Sequence, residues 1–238
     1  MIRPTEAQRR QWEEEGVLVL ENALVGEELA RLQAVFDGWT EISRSGWIDR
    51  VETGELSAMY FDILKPLEKD PIFMTLVDHP SWYGLLMDFS GDDLIFLAPQ
   101  VRTVPPGPMS YIGWHPDVPH TTPLHMKVQL YLNDVGPGEG GFAYVPGSHR
   151  PGAGPYPSHH RMDSMPGHRV FTGRAGTAIL FNSYGWHTAM LNETPTPRKS
   201  IILIYEKWSQ MRFDPNRFAS VADRCDTPAR RRLFSLEA

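Results

Sequence analysis

Cysteine is nearly absent from this chain: Cys225 is the single one among 238 residues, so no internal disulfide can form. A reducing compartment and a packed core, rather than covalent staples, are the expectation. Cys225 sits in a polar tail with no histidine near it in sequence, which gives it no catalytic role. Long apolar runs are missing too, and nothing approaches the roughly 20 residues that a membrane helix needs. The opening residues, Met1-Ile2-Arg3-Pro4-Thr5-Glu6, lack the apolar stretch of a secretory signal, so the expected location is the cytoplasm. Positive charge is also in short supply. Lysine and arginine total 23 against 29 acidic residues, a formal net charge of -6. That balance leaves no electrostatic footprint for nucleic acid or for an anionic membrane surface. The one basic run, Arg230-Arg231-Arg232, lies near Asp226 and Glu237 and reads as a solvated helix face. No feature of the sequence bears on oligomeric state.

What is present fits an ordinary globular protein, with 41% hydrophobic and 22% charged residues and enough length for a substantial core. Residues 5–15 read as a polar helix, capped by Thr5 and stopped by Gly16, followed by a short buried strand at 17–20. From Gly26 to Trp39 the spacing is helical, with Leu29, Leu32, Val35, Phe36 and Trp39 on one stripe. Residues 42–56 are irregular and polar and read as a loop, 59–64 as a strand, and 71–76 and 81–89 as two short helices.

After Gly91 the character changes. Strands are expected at 94–96, 100–104, 112–117, 126–133, 141–145, 177–181, 186–191 and 200–208, separated by turns rich in Gly and Pro. Many short strands of this kind indicate a sandwich or barrel, and eight suit a jelly roll closed over an interior site. The expected fold is therefore mainly β with flanking helices, the N-terminal helices packing on one outer face. The chain is expected to be a single domain: a helical part at 1–93, a jelly-roll core at 94–208 and a tail at 209–238. The stretch 150–167 is the longest without periodicity and is a candidate lid, in which His159 and His160 read as solvated loop residues.

The chemistry is carried by Gly113-Trp114-His115-Pro116-Asp117 and by Gly185-Trp186-His187-Thr188. On an extended segment, His115 and Asp117 point to the same face, because strand side chains alternate with period 2. A second imidazole, His187, returns from a distant strand. Two histidines and one carboxylate form a facial triad whose open positions suit a non-haem Fe(II) oxygenase. Arg198 follows His187 by 11 residues and opens the most hydrophobic strand, Ile201-Ile202-Leu203-Ile204. A buried guanidinium needs an anionic partner, and a dicarboxylic acid held bidentately meets that need. Ser200 shares its face and can donate to the same carboxylate.

Together with Asn133-Asp134-Val135, Glu139-Gly140-Gly141 and Val145-Pro146-Gly147-Ser148-His149, these residues resemble the phytanoyl-CoA dioxygenase family of Fe(II)/2-oxoglutarate oxygenases. The resemblance runs over about 95–208 and implies a double-stranded β-helix. It also implies that His115, Asp117 and His187 hold Fe(II) and that Arg198 and Ser200 hold the distal carboxylate of 2-oxoglutarate. Gln129 falls at a cosubstrate-side position of the family, and Gln100 is expected to face the cosubstrate too. Residues 146–149 correspond to a structural turn, so His149 is not expected to be a ligand. Halogenases on this scaffold resemble the chain but replace the carboxylate by a small residue, so Asp117 argues against chlorination. The implied reaction uses O2 and 2-oxoglutarate, releases succinate and CO2, and hydroxylates the substrate by default.

The substrate is expected to be a small, partly apolar metabolite or natural-product intermediate. Trp114, Tyr111, His120, Tyr131, Tyr184 and Trp186 flank the ligands, and Tyr60, with Met59 and Phe61, is expected to close the mouth. No basic cluster marks a coenzyme A site. His125 is a further candidate beside the metal, whereas His79 and His168 have no suitable context. Two other readings use the same residues. One is a cupin-like metalloenzyme acting without 2-oxoglutarate, which Arg198 and Ser200 disfavour; the other is a non-catalytic small-ligand module, which the intact triad disfavours.

Overall fold

The computed structural model describes residues 2–107, 113–157 and 164–238. Helix α1 (Glu6–Glu15) begins with a capping box, in which the Thr5 hydroxyl accepts from the Gln8 amide and the Gln8 side chain accepts from the Thr5 amide. Gly16 ends it in the left-handed region at φ 74°, where a Cβ would also lie 2.4 Å from His149 Nδ1. Strand β1 (Val17–Leu20) follows.

Helix α2 (Gly26–Glu52) corrects the expected loop at 42–56. The apolar stripe fades after Trp39, but nothing there breaks a helix, and pairs such as Glu41–Arg44 at 2.9 Å support it. Its second half is anchored by Trp47, set edge-on against Phe61 at 5.4 Å. Strand β2 (Phe61–Asp62) and helices α3 (Pro66–Lys69), α4 (Ile72–Thr75) and α5 (Tyr83–Ser90) complete the first part of the chain.

The remaining strands are β3 (Leu94–Val104), β4 (His125–Tyr131), β5 (Phe142–Tyr144), β6 (Arg169–Phe171), β7 (Ala178–Asn182), β8 (His187–Ala189) and β9 (Arg198–Lys207). They build a six-stranded sheet in the order β1-β7-β4-β9-β3-β2 and a three-stranded sheet in the order β6-β5-β8. Every pairing is antiparallel. The two sheets facing each other give the expected jelly roll, with two strands supplied by the N-terminal part.

Side-chain alternation divides the large sheet. Met126, Val128, Leu130, Leu180, Leu203 and Tyr205 point outward and pack with Leu32, Phe36, Phe73 and Leu85 of the helices. Lys127, Gln129, Ser200 and Ile202 take the opposite face, inside the barrel. The expected strands at 94–96 and 100–104 are one strand, β3, with a register shift between Phe96 and Ala98. The bulge changes parity: Phe96 and Val101 both join the outer cluster, which turns Gln100 and Arg102 inward. The expected strand at 112–117 is reduced, over its described residues, to a single bridge between His115 and His187. Pro116 has no N–H to extend the ladder.

The C-terminal segment is more than a polar tail. A 3-10 helix (Ala219–Arg224) and helix α6 (Pro228–Leu233) place Phe218 and Phe234 against Phe96, and Cys225 is buried with them. The arginine run is tied down: Arg230 donates to the Met74 carbonyl, Arg231 pairs with Glu237 and Arg232 with Asp93.

Candidate metal centre and cosubstrate pocket

Two tryptophan–histidine segments meet across the small sheet. The His115 amide donates to the His187 carbonyl (3.1 Å), and the His187 amide donates back (3.0 Å). Each imidazole is fixed by a backbone carbonyl two residues earlier: His115 Nδ1 lies 2.8 Å from Gly113 O, and His187 Nδ1 lies 2.9 Å from Gly185 O. With Nδ1 as donor, both Nε2 atoms carry a lone pair into the barrel, the arrangement metal-ligating histidines use. Asp117 is brought to the same point by its amide, which donates to Ser183 O at 2.9 Å.

Ligand atoms of His115, Asp117 and His187 all lie within 4.8 Å of one another. His187 Nε2 is 3.3 Å from Asp117 Oδ2, and His115 Nε2 is 3.9 Å from Oδ1. Lys127 Nζ is 2.6 Å from Oδ1, whereas Oδ2 is buried without a hydrogen-bond partner. Burial alone would raise the Asp117 carboxyl, but His187, Lys127 and His115 outweigh it and hold it at about 2. Burial also pushes His187 down to about 3, against the pull of Asp117. An ionised carboxylate with one bare oxygen beside the Nε2 atoms of two imidazoles fits a divalent cation.

The cavity beside this cluster has a volume of about 220 Å³ and reaches Tyr60, Gln100, Arg102, Gln129, Thr188 and Arg198. Arg198 is only 3% exposed. Its Nη1 donates to Gly140 O at 2.5 Å, but Nε is buried without a partner, as are Ser200 Oγ and Gln129 Nε2. Burial lowers the Arg198 guanidinium. The approach of the Gly140 carbonyl explains part of the Glu139-Gly140-Gly141 motif. At Gly140 the backbone has φ 72°, and a Cβ would press on Met190 O at 3.2 Å. Arg102, also in the wall, is held bidentately by Asp62 at 2.7 Å and covered by the Tyr60 ring at 3.6 Å.

The other aromatic residues expected at the site lie elsewhere. Trp114 sits edge-on to His168, and Trp186 packs on Tyr156, both in a third apolar cluster on the outer side of the small sheet with Ala143 and Val145. Tyr131 is fully buried, donating to Phe171 O and accepting from the Phe142 amide. His120 packs at a tilt against Tyr184, with ring centroids 4.7 Å apart. His125 is buried at the end of β4, and burial pushes it down to about 4. His79 lies 4.5 Å from Trp82. In the 146–149 turn, Ser148 Oγ accepts from the Trp186 amide, and His149 packs beneath Gly16. Tyr111, His159 and His160 lie outside the described residues.

Sequence reasoning missed Lys127 and Arg102, and with them Phe142, Phe181 and Thr188 in the cavity wall. A signal for Lys127 exists. In His125-Met126-Lys127-Val128-Gln129-Leu130 polar and apolar residues alternate, the mark of a strand with two unlike faces.

The fold and site together define a jelly-roll protein with a His-Asp-His cluster able to hold a metal ion and a buried arginine beside it. The profile of the phytanoyl-CoA dioxygenase family matches residues 12–200, and the chain belongs to that family. It is 24% identical to an ectoine dioxygenase of Nocardia farcinica, over 90% of this chain and 80% of the relative. Among solved structures it is similar to iron-bound EctD from S. alaskensis, with a TM-score of 0.66 at 18% identity, covering 86% of this chain and 77% of that one. HygX from Streptomyces hygroscopicus, with nickel and 2-oxoglutarate bound, gives a TM-score of 0.65 at 18% identity, covering 87% and 88%. Among the described residues no helix is long and apolar enough to cross a membrane.

Proposed function

We propose that this chain is an Fe(II)- and 2-oxoglutarate-dependent oxygenase that hydroxylates a small molecule. His115, Asp117 and His187 would hold the iron, and Arg198, Ser200 and Gln129 would hold the far carboxylate of 2-oxoglutarate, with Gln100 in the same wall. When bound, iron and 2-oxoglutarate together activate O2, releasing succinate and CO2 as the substrate is oxidised. The observation that carries the reading is the set of buried, unpartnered atoms: Arg198 Nε, Ser200 Oγ and Gln129 Nε2 on adjoining strands, and Asp117 Oδ2 at the metal end. A buried polar group without a partner costs about 1–3 kcal/mol, so such a set in one place points to a ligand that satisfies it. A dicarboxylate satisfies the first three, and a cation satisfies the fourth.

The protein's own groups do the remaining work. The carbonyls of Gly113 and Gly185 hold the imidazoles in the tautomer that leaves Nε2 free. The Gly140 carbonyl orients the guanidinium of Arg198. Tyr60 and the Arg102–Asp62 pair form the wall nearest the N-terminal part, where a small substrate would enter. Trp114, Tyr131 and Trp186 would then shape the site from behind, through the cores they fill. A cupin-like enzyme without 2-oxoglutarate, or a binding module without metal, would leave Arg198 or Asp117 with no reason for its bare atoms. We read residues 1–238 as one oxygenase domain, since β1 and β2 pair into the same sheet as β3, β4, β7 and β9.

The test is to add Fe(II) and then 2-oxoglutarate to the protein without oxygen and record the visible spectrum. A weak charge-transfer band that needs both additions is expected. Iron bound with no such band would sink the 2-oxoglutarate part of the reading, and no iron bound would sink all of it.

A further inference from the structure

The inside of the barrel holds an ammonium group that the reading above leaves unused. Lys127 stands on β4, and its side chain is only 12% exposed. A lysine in such a place is costly unless a partner takes its charge. That partner is Asp117, whose Oδ1 lies 2.6 Å from Nζ. The contrast with the other two ligands is informative. His115 and His187 are aimed by backbone carbonyls, but the Asp117 carboxylate has no backbone donor among the described residues, and Lys127 is the group that holds it. The hold is on one oxygen only. Oδ1 faces the ammonium, while Oδ2 is bare and lies 3.3 Å from His187 Nε2.

We propose that Lys127 is a positioning residue of the metal centre. By holding Oδ1 it makes Asp117 a one-oxygen ligand and keeps open the position that the second oxygen would otherwise take. This rests on the oxygenase reading. In an octahedral site, two imidazoles and one carboxylate oxygen leave three positions, enough for a chelating oxoacid and one more small ligand. A carboxylate chelating through both oxygens would leave no position beyond the oxoacid. An ammonium so near a divalent cation repels it. Metal affinity therefore gives no reason for a lysine here, and restraint of the carboxylate does.

The test compares the native protein with Lys127→Met, which keeps length but removes the donor, and with Lys127→Arg, which keeps charge and donors. Lys127→Gln, too short to reach Oδ1, replaces the Met variant if that one does not fold. Each is loaded with Fe(II) and 2-oxoglutarate without oxygen and titrated with nitric oxide, a neutral ligand that needs one open position, read by EPR. The native protein and Lys127→Arg should take nitric oxide alike. Lys127→Met should keep the charge-transfer band but bind nitric oxide at least tenfold more weakly. Equal nitric oxide affinity in Lys127→Met and the native protein would overturn the proposal. So would a variant that binds 2-oxoglutarate more weakly while the complex that still forms takes nitric oxide normally, since Lys127 would then serve the anion through charge alone. Failure of the oxygenase reading looks different: the native protein itself would show no band.

Discussion

His115 and His187 are joined across the small sheet by a reciprocal pair of main-chain hydrogen bonds of 3.1 and 3.0 Å, with their rings 4.6 Å apart. Two residues far apart in the chain are thereby locked at one point by the backbone, before any metal enters. The imidazoles are not needed for the bridge. His115→Ala and His187→Ala should therefore fold, the buried His187→Ala losing about 1–3 kcal/mol. Both should lose iron binding by at least a hundredfold in metal titrations. Retention of native affinity in either would remove that residue from the ligand set.

Arg198 should matter to the oxoacid and not to the metal. Removing one partner of a buried charged pair costs about 2–5 kcal/mol. Arg198→Met should thus weaken 2-oxoglutarate by a hundredfold or more in anaerobic titrations of the visible band, and leave iron affinity within about threefold. A change in iron affinity alone would misplace the arginine.

The turn before His187 is tight. A Cβ on Gly185 would fall 1.9 Å from the hydroxyl of buried Tyr144, which donates to Asn182 O. Gly185→Ala should displace the carbonyl that aims His187 and cost roughly 1–3 kcal/mol of stability through overpacking. Groups that orient a ligand are worth about 10–100-fold in metal affinity. The combined loss should appear as a lower melting temperature and weaker metal binding. A variant with unchanged iron affinity would show that the Gly185 carbonyl does not aim the ring.

Without metal, stability should fall as the pH drops from about 6.5 towards 4. Burial lowers His187 to about 3 and His125 to about 4, so the unfolded chain binds protons in this window that the folded chain refuses. Stability then rises with pH, by up to about 1.4 kcal/mol per unit for each group. Asp117, held at about 2 in the folded chain, adds to the same trend below about pH 5, where the unfolded chain takes up its proton and the folded chain does not. Urea unfolding between pH 4 and 7 should show the trend, and His125→Gln should flatten it. A pH-independent midpoint would contradict the burial of both rings as neutral groups.

Much of this was legible in the chain. Thr5, Gln8 and Gly16 mark a helix start and stop by local hydrogen bonding and backbone freedom, and α1 has those limits. The strand segments and their Gly–Pro turns announce a jelly roll, and His115, Asp117, His187 and Arg198, singled out in the sequence, come together around one cavity. The helix limits and the shared face of His115 and Asp117 rest on neighbours in sequence, where spacing alone determines which side chains lie together. Other features depend on which strand comes to lie against which. Polar residues alternating along β4 look like a solvent face, and only closure of the second sheet turns Lys127 and Gln129 into the site. The inward turn of Arg102 depends on the β3 bulge beside Pro99, whereas the outward facing of Trp114 and Trp186 follows from the same alternation once His115 and His187 face inward. The sequence by itself determined most of the elements and the residue types of the candidate site. The tertiary structure decided which faces look inward, because a sheet has two sides and only its partners choose between them.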